Sequence, residues 1–153
     1  MGKNFSRFKL FKFRTMVVGA EKKGPLITKS SDPRITKIGA FLRKRKLDEL
    51  PQMFNVLMGD MSIVGPRPQT ERYALHFRDQ YEEILTIRPG ITSNAALEYK
   101  NEQEVLNHYT DIEEGHIKEI LPAKLNLYKK YMQEICFVTD LKIIFKTITS
   151  LLF

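Results

Sequence analysis

The chain of 153 residues contains a single cysteine, Cys136, so no internal disulfide can form, and the apolar neighbours Ile135 and Phe137 predict a buried thiol in a reducing compartment. No apolar run approaches the length needed to span a bilayer, and the opening Met-Gly-Lys-Asn-Phe-Ser-Arg lacks the apolar core of a signal peptide. His76, His108 and His116 are too scattered for a recognisable metal site, and Ser62 has no histidine or lysine at a diagnostic spacing. No glycine-rich phosphate loop, internal repeat or low-complexity tract is present. Zinc enzymes, classical serine hydrolases and P-loop proteins are thereby set aside.

What is present is enough to fold. The hydrophobic fraction of 42% and charged fraction of 28% are those of a globular chain, and the length suits one domain over 1–153 with a core of its own. The net charge of +7 and pI near 9.5 favour polyanionic partners: nucleic acid, an anionic bilayer surface or phosphorylated substrates. Arg34, Lys37, Arg43, Lys44, Arg45 and Lys46 concentrate that charge, either as a solvated helix face or as a basic patch.

Patterning predicts a helix-rich α+β fold, with several amphipathic helices around a short β element. Phe8 to Thr15 alternates apolar with basic residues and reads as a strand with a basic face. Gly19 to Ser31 reads as a loop. Asp32-Pro33 is the expected start of a helix running to Arg45 and burying Ile35, Ile38, Phe41 and Leu42. A second helix is expected from Asp48, with Leu50, Phe54 and Leu57 at core spacing and Gly59 as its stop. Met61 to Val64 reads as a short buried strand, Gly65-Pro66-Arg67-Pro68 as a stiff turn, a helix starts at Thr70 or Gln69 and runs to about Tyr81, and Arg88-Pro89-Gly90 reads as a turn. The segment from Asn94 to Asn107 fits loop and helix equally. Pro122 opens a helix to Glu134, and Thr139 or Asp140 caps a last one whose stripe of Leu141, Ile144, Phe145, Ile148 and Leu152 is read as core, with a membrane interface as the alternative.

The chemistry concentrates between residues 47 and 68. Asp48 and Glu49 are adjacent acids at a helix start, and Arg67 sits between two prolines about twenty residues later. The positive end of a helix favours an ionised carboxylate, so Asp48 is either an ordinary cap or a nucleophile. Glu49 is a first-turn acid or a group that holds a cation or handles a proton. Arg67, its neighbours stripped of N–H donors, suits a bidentate phosphate contact or a structural role at backbone carbonyls. Lys12 and Arg14 share one face of the expected strand and are candidates for phosphate contact or simple solvation.

Leu47-Asp48-Glu49-Leu50-Pro51-Gln52 followed at this spacing by Gly65-Pro66-Arg67-Pro68 resembles the bacterial sugar transferases known as monotopic phosphoglycosyl transferases. Lys12-Phe13-Arg14-Thr15-Met16, Arg34-Ile35-Thr36-Lys37-Ile38-Gly39, Arg88-Pro89-Gly90-Ile91-Thr92 and Asp140-Leu141-Lys142-Ile143 resemble further motifs of that family, in the same order. After Thr92, where many members continue Gly-Leu-Ala-Gln, this chain has Ser93-Asn94-Ala95-Ala96-Leu97.

The resemblance implies an enzyme that moves a sugar phosphate from a UDP-sugar to a polyprenyl phosphate such as undecaprenyl phosphate, starting a glycan for exopolysaccharide, capsule, O-antigen or glycoprotein. It gives Asp48 the role of nucleophile, Glu49 a catalytic and metal-handling role, and Arg67 a phosphate contact, with Asp140 either a helix cap or a substrate-binding group. Mg²⁺, held by Asp48 and Glu49 with substrate oxygens, is the expected cofactor, because a diphosphate needs its charge neutralised before a carboxylate approaches. It places the protein at the cytoplasmic face of a bacterial inner membrane, and members carry an apolar segment upstream of the region matched here, so this chain is expected to be a fragment. The alternative from composition is a basic nucleic-acid-binding module using the interleaved aromatics between Phe5 and Arg14, which leaves Asp48, Glu49 and Arg67 without a role.

Overall fold

The computed structural model describes residues 1–22, 24, 28, 32–106 and 108–152. It is helix-rich, with one two-stranded parallel sheet, as the patterning predicts. The elements in order are α1 (Lys37–Lys44), α2 (Gln52–Leu57), β1 (Ser62–Val64), α3 (Glu71–His76), α4 (Arg78–Ile84), β2 (Gly90–Thr92), α5 (Asn94–Glu98), α6 (Glu102–Leu106), α7 (Ile112–Gly115), α8 (Leu121–Gln133) and α9 (Phe137–Leu152). A wide π turn over His116–Ile120 joins α7 to α8.

The helix expected from Asp32 starts four residues later. Asp32 spends its oxygens on Arg34, taking the backbone N–H at 2.9 Å, Nε at 2.9 Å and Nη2 at 2.7 Å, so Thr36 becomes the cap, its Oγ1 accepting from Gly39 N at 2.9 Å. Gly39 is required here: a Cβ would stand 1.9 Å from the Thr15 carbonyl oxygen. The Phe8–Thr15 segment forms no strand, although Met16 makes one antiparallel bridge with Ile35. Its alternation suits a pleated edge, but the buried Asn55 amide takes the place of a partner strand, accepting from Phe11 N at 3.0 Å and donating to Lys9 O at 2.8 Å.

β1 falls where it is expected. It pairs in parallel with β2, Ser62 opposite Gly90 and Val64 opposite Thr92, so the Arg88-Pro89-Gly90 turn leads directly into a strand. The backbones meet so closely that a Cβ on Gly90 would lie 2.1 Å from Gly65 N. The helix expected from Thr70 to Tyr81 is broken at Phe77 (φ −115°, ψ 41°) into α3 and α4, while Tyr73 and Tyr81 still point inward. The undecided stretch after Asn94 forms α5 and α6, and Ser93 caps the first by accepting from Ala96 N at 3.0 Å. Most of the expected Gly19–Ser31 loop, and Asn107, lie outside the described residues.

The core gathers Tyr73, Ala74, Tyr81, Ile84, Leu85, Ala95, Leu121, Leu125 and Tyr128, and a smaller cluster joins Val64, Tyr131 and Ile143. Three expectations about burial fail. In α1 and α2 most of the apolar residues face outward: Ile38 is 74% exposed, Phe41 58%, Phe54 64% and Leu57 80%, with Leu50 exposed beside them, while Ile35, Leu42 and Val56 are half-buried and Gln52 and Asn55 are buried. Leu141, Phe145 and Ile148 of α9 are exposed too, while Ile143 is buried and Ile144, alone of the described part of the expected stripe, packs half-buried against the same cluster. Cys136 is exposed, not buried. It precedes α9, and its sulfur accepts from Thr139 N at 3.4 Å, a capping position expected of Thr139 or Asp140.

Candidate functional site

Lys46 ends the α1 segment with a left-handed backbone (φ 54°, ψ 18°), a conformation that costs a side-chain-bearing residue about 1–2 kcal/mol. It reverses the chain into a 3₁₀ turn, Leu47–Glu49, that presents both acids ahead of α2. The Asp48 carbonyl accepts from Phe13 N at 3.0 Å, which ties the basic segment to this turn. The Asp48 carboxylate is half-buried, and it makes no hydrogen bond or ion pair with a described residue.

Glu49 is enclosed, with 12% of its side chain exposed. Its Oε2 accepts from Arg67 Nη1 at 3.0 Å and its Oε1 from Arg67 Nη2, the two-pronged contact for which a guanidinium is shaped. Oε1 also accepts from Lys12 Nζ at 3.2 Å. Burial pushes the Glu49 carboxyl up, but the bonds and charge of Arg67, reinforced by Lys12 and Lys46, outweigh it and bring it to about 2. Arg67 is densely surrounded, yet 35% of its side chain stays open to solvent. Burial works against its charge, and the Glu49 bonds more than restore it. Burial and the neighbouring Arg67 charge lower Lys12, against the pull of Glu49 and Asp48.

The fold thus brings together four of the residues singled out in the sequence: Lys12, Asp48, Glu49 and Arg67. Arg14 is exposed and pairs with no described residue. Asp140 lies in the first turn of α9 and accepts from the Tyr131 hydroxyl at 2.7 Å, a bond that staples α9 to α8.

A second charged group adjoins this site and escaped the sequence reading. Glu102 of α6 accepts from Lys124 Nζ at 2.5 Å and pairs with His116 Nδ1 at 2.9 Å. Lys124 and His116 are both buried, and burial lowers Lys124 despite its partner, with the charges of Arg67 and Lys46 adding to the effect. Burial would raise Glu102, but His116 and Lys124 hold it at about 2. On the same face of α8, one turn after Lys124, lies the buried Tyr128, whose hydroxyl is pushed up to about 12, chiefly by burial. The signal that would have found them is a lysine inside the otherwise apolar face Leu121, Leu125, Tyr128.

An unpaired carboxylate beside a clamp of cations is equipped to attack, or to hold a divalent ion near, an anionic phosphorus. Among the described residues no group of three or more His, Cys, Asp and Glu side chains is arranged to hold a metal, so an ion here would draw on the adjacent carboxylates and on substrate oxygens.

The family model for bacterial sugar transferases matches residues 1–153. The chain is 34% identical over 155 residues to the UDP-N-acetylgalactosamine-undecaprenyl-phosphate N-acetylgalactosaminephosphotransferase of Aeromonas hydrophila, covering 99% of this chain and 34% of that protein. It is 35% identical over 148 residues to the UDP-glucose:undecaprenyl-phosphate glucose-1-phosphate transferase of Escherichia coli (strain K12), covering 92% and 28%. A putative undecaprenyl-phosphate N-acetylgalactosaminyl 1-phosphate transferase of Bacillus subtilis (strain 168) is 49% identical over 80 residues, covering 52% and 45%. The chain spans less than half the length of each of these relatives. Motifs, helix-rich fold and whole-chain match agree that this chain belongs to the bacterial sugar transferase family.

Proposed function

We propose that the chain carries the catalytic domain of a phosphoglycosyl transferase that passes a sugar 1-phosphate from a UDP-sugar to a polyprenyl phosphate. The observation that carries this reading is the Asp48 carboxylate, half-buried, unpaired among the described residues and next to Lys12, Glu49 and Arg67. The relatives' names support the substrate classes, and they differ in the sugar, so the donor is left as a UDP-hexose or N-acetylhexosamine.

In the first half-reaction an Asp48 oxygen bonds to the phosphorus that bears the sugar, the bond from that phosphorus to the bridging oxygen breaks, and UMP leaves with that oxygen. In the second, an oxygen of the polyprenyl phosphate bonds to the same phosphorus and the Asp48 oxygen is released as carboxylate, giving a polyprenyl diphosphate sugar. Arg67 exchanges its contact with Glu49 for the donor's phosphate oxygens, where its planar fork opposes the charge that builds up. Lys12, already lowered by burial, adds a second cation on the same side.

The residues fit Mg²⁺ under one condition. Asp48 is open, but both Glu49 oxygens are held by Arg67, one of them also by Lys12; once Arg67 turns to phosphate, two carboxylates plus substrate oxygens meet the ion's needs. When bound there, Mg²⁺ would neutralise diphosphate charge. The exposed apolar side chains of α1, Leu50 and α2, beside Lys37, Lys44, Arg45 and Lys46, suit an anionic membrane surface that presents the acceptor. Left in water, those side chains forgo on the order of 10 kcal/mol of burial. Among the described residues no helix is long and apolar enough to cross a membrane.

The test is UMP release and covalent labelling with radiolabelled UDP-glucose, UDP-galactose and UDP-N-acetylgalactosamine, with and without a short polyprenyl phosphate in detergent. Wild type retains label without acceptor and turns over with it; Asp48→Asn does neither, and EDTA stops both. Equal labelling of Asp48→Asn removes Asp48 from the chemistry, and full turnover after EDTA removes the metal. Salt-sensitive binding of DNA or RNA with no UMP from any donor would favour a nucleic-acid module instead.

A further inference from the structure

We propose that Asn55 is a positioning residue for Lys12: its buried side-chain amide, clamping the backbone on either side of Leu10, holds the ammonium group in reach of the donor's phosphates. This rests on reading Lys12 as a second phosphate-binding cation.

Lys12 rides on a stretch without regular secondary structure, and its flexible four-carbon stem, 36% exposed, has no helix or strand to aim it. Among the described residues the backbone around it is held at three places. Phe11 N donates to Asn55 Oδ1 at 3.0 Å, Asn55 Nδ2 donates to Lys9 O at 2.8 Å, and Phe13 N donates to Asp48 O at 3.0 Å. Lys12 is therefore bracketed by two anchored amides, one on Asn55 and one on the acid turn. Asn55 Nδ2 also donates to Asp60 Oδ2 at 3.4 Å, so the NH₂ group faces two acceptors and Oδ1 is left for Phe11.

Asn55 is completely buried, on a helix whose apolar residues mostly point outward. An amide is tolerated there when its bonds are made, and this one spends them on the segment carrying Lys12 and on Asp60. Its own carbonyl accepts from Asp60 N at 3.0 Å and Met61 N at 3.2 Å, which closes α2 and sends the chain into β1. One residue thus joins the helix that follows the acid turn, the basic segment, and the strand that leads to Arg67. In the structure described here Lys12 Nζ rests on Glu49 Oε1 at 3.2 Å. Once the donor draws Glu49 and Arg67 into new contacts, that ion pair is gone, and the clamp at Asn55 is what still sets where the lysine stem starts.

The test is amide hydrogen exchange at Phe11 together with single-turnover UMP release from the three UDP-sugars, for wild type, Asn55→Ala, Lys12→Met and the double variant. The Phe11 amide should be protected in wild type and exchange at least tenfold faster in Asn55→Ala, a larger factor than at Val64 of β1. UMP release should fall about tenfold on Asn55→Ala when Lys12 is present, and less than twofold when the same change is made in Lys12→Met. A loss of equal size in both backgrounds means that Asn55 supports the fold as a whole, and overturns the proposal. Two results overturn it even if Asn55→Ala fails to fold: an unprotected Phe11 amide in wild type, or UMP release by Lys12→Met within twofold of wild type, since a lysine without effect needs no positioning. Absence of UMP release by wild type from all three donors sinks the transferase reading, and with it the role assigned to Asn55. Normal release with uncoupled variants sinks Asn55 alone.

Discussion

The helices on either side of the site treat water in opposite ways. From Thr36 to Leu57 the chain buries Gln52 and Asn55 and turns Ile38, Phe41, Phe54 and Leu57 outward. From Tyr81 to Tyr128 it does the reverse, burying Tyr81, Ile84, Leu121 and Leu125 under a surface that carries Glu82, Glu83 and Lys129. Both regions have the helical period of apolar residues, so the period reports that a face is apolar and not what covers it. Asp48 and Glu49 sit on the turn between α1 and α2, within the outward-facing region, while Arg67 is anchored to the ordinary one. The acid pair and its cation therefore meet along the seam between an apolar-facing surface and a conventional core.

The comparison predicts the largest loss on the conventional side. Leu125→Ala, which empties a fully buried site in the main cluster, should cost about 2–5 kcal/mol in a urea denaturation, and a loss below 1 kcal/mol would show that this core is loosely packed.

Acid should strike the seam next. Glu49 and Glu102 both lie at about 2 in the folded chain, below the ordinary 4.5, so the folded state binds fewer protons than the unfolded one over that interval. The stability they contribute is complete above pH 4.5 and is lost as the pH falls from there towards 2, on the order of 3 kcal/mol for each carboxylate. Glu49→Gln should flatten the dependence of urea midpoint on pH across this window, and an unchanged slope would remove the Arg67 pairing as its source.

A smaller effect is expected from Asn55→Ala. The amide of Asn55 satisfies Phe11 N and Lys9 O, and leaving those backbone groups without partners should cost about 1–3 kcal/mol. Loosening of the segment that carries Lys12 would appear as faster amide exchange at Phe11.

The smallest change in stability should come from the outward face. Phe54→Ser and Leu57→Ser together should move the unfolding free energy by no more than about 0.5 kcal/mol per site, while sharply weakening sedimentation with vesicles containing phosphatidylglycerol. A loss of several kcal/mol would mean that these side chains do pack against the chain, and the contrast between the two regions would collapse.

These contrasts also show what could be read without coordinates. The acid pair and the proline-flanked arginine were legible as motifs, and the fold joins them through a Glu49–Arg67 bond that spans eighteen residues. α8 and β1 were legible because Pro122 and Gly65 punctuate them, and along α8 the residues Leu121, Leu125, Tyr128 and Tyr131 turn inward. The outward faces of α1, α2 and α9 were misread, since sequence period carries no information about the surrounding medium. The strand expected at Phe8–Thr15 failed because a side-chain amide, that of Asn55, does what a neighbouring strand would do. Glu102, His116 and Lys124 stayed hidden because their proximity depends on the path of the chain through α6, the π turn and α8, and their sequence separations of 14 and 22 match no motif.

The close backbone contact between Gly65 and Gly90 bears on the order in which the site assembles. The turn containing Asp48 and Glu49 lies within a few residues of α1 and α2, so it closes through short-range contacts. Arg67 takes its place only when β1 meets β2, after the chain has travelled out through α3 and α4 and come back. Loops of that length close at an entropic cost before any pairing compensates. The acid pair's turn is therefore an early product of folding and the cation's turn a late one. A weakened α3–α4 excursion would release Arg67 first and leave Asp48 in place: a chain with its acid set and its clamp open.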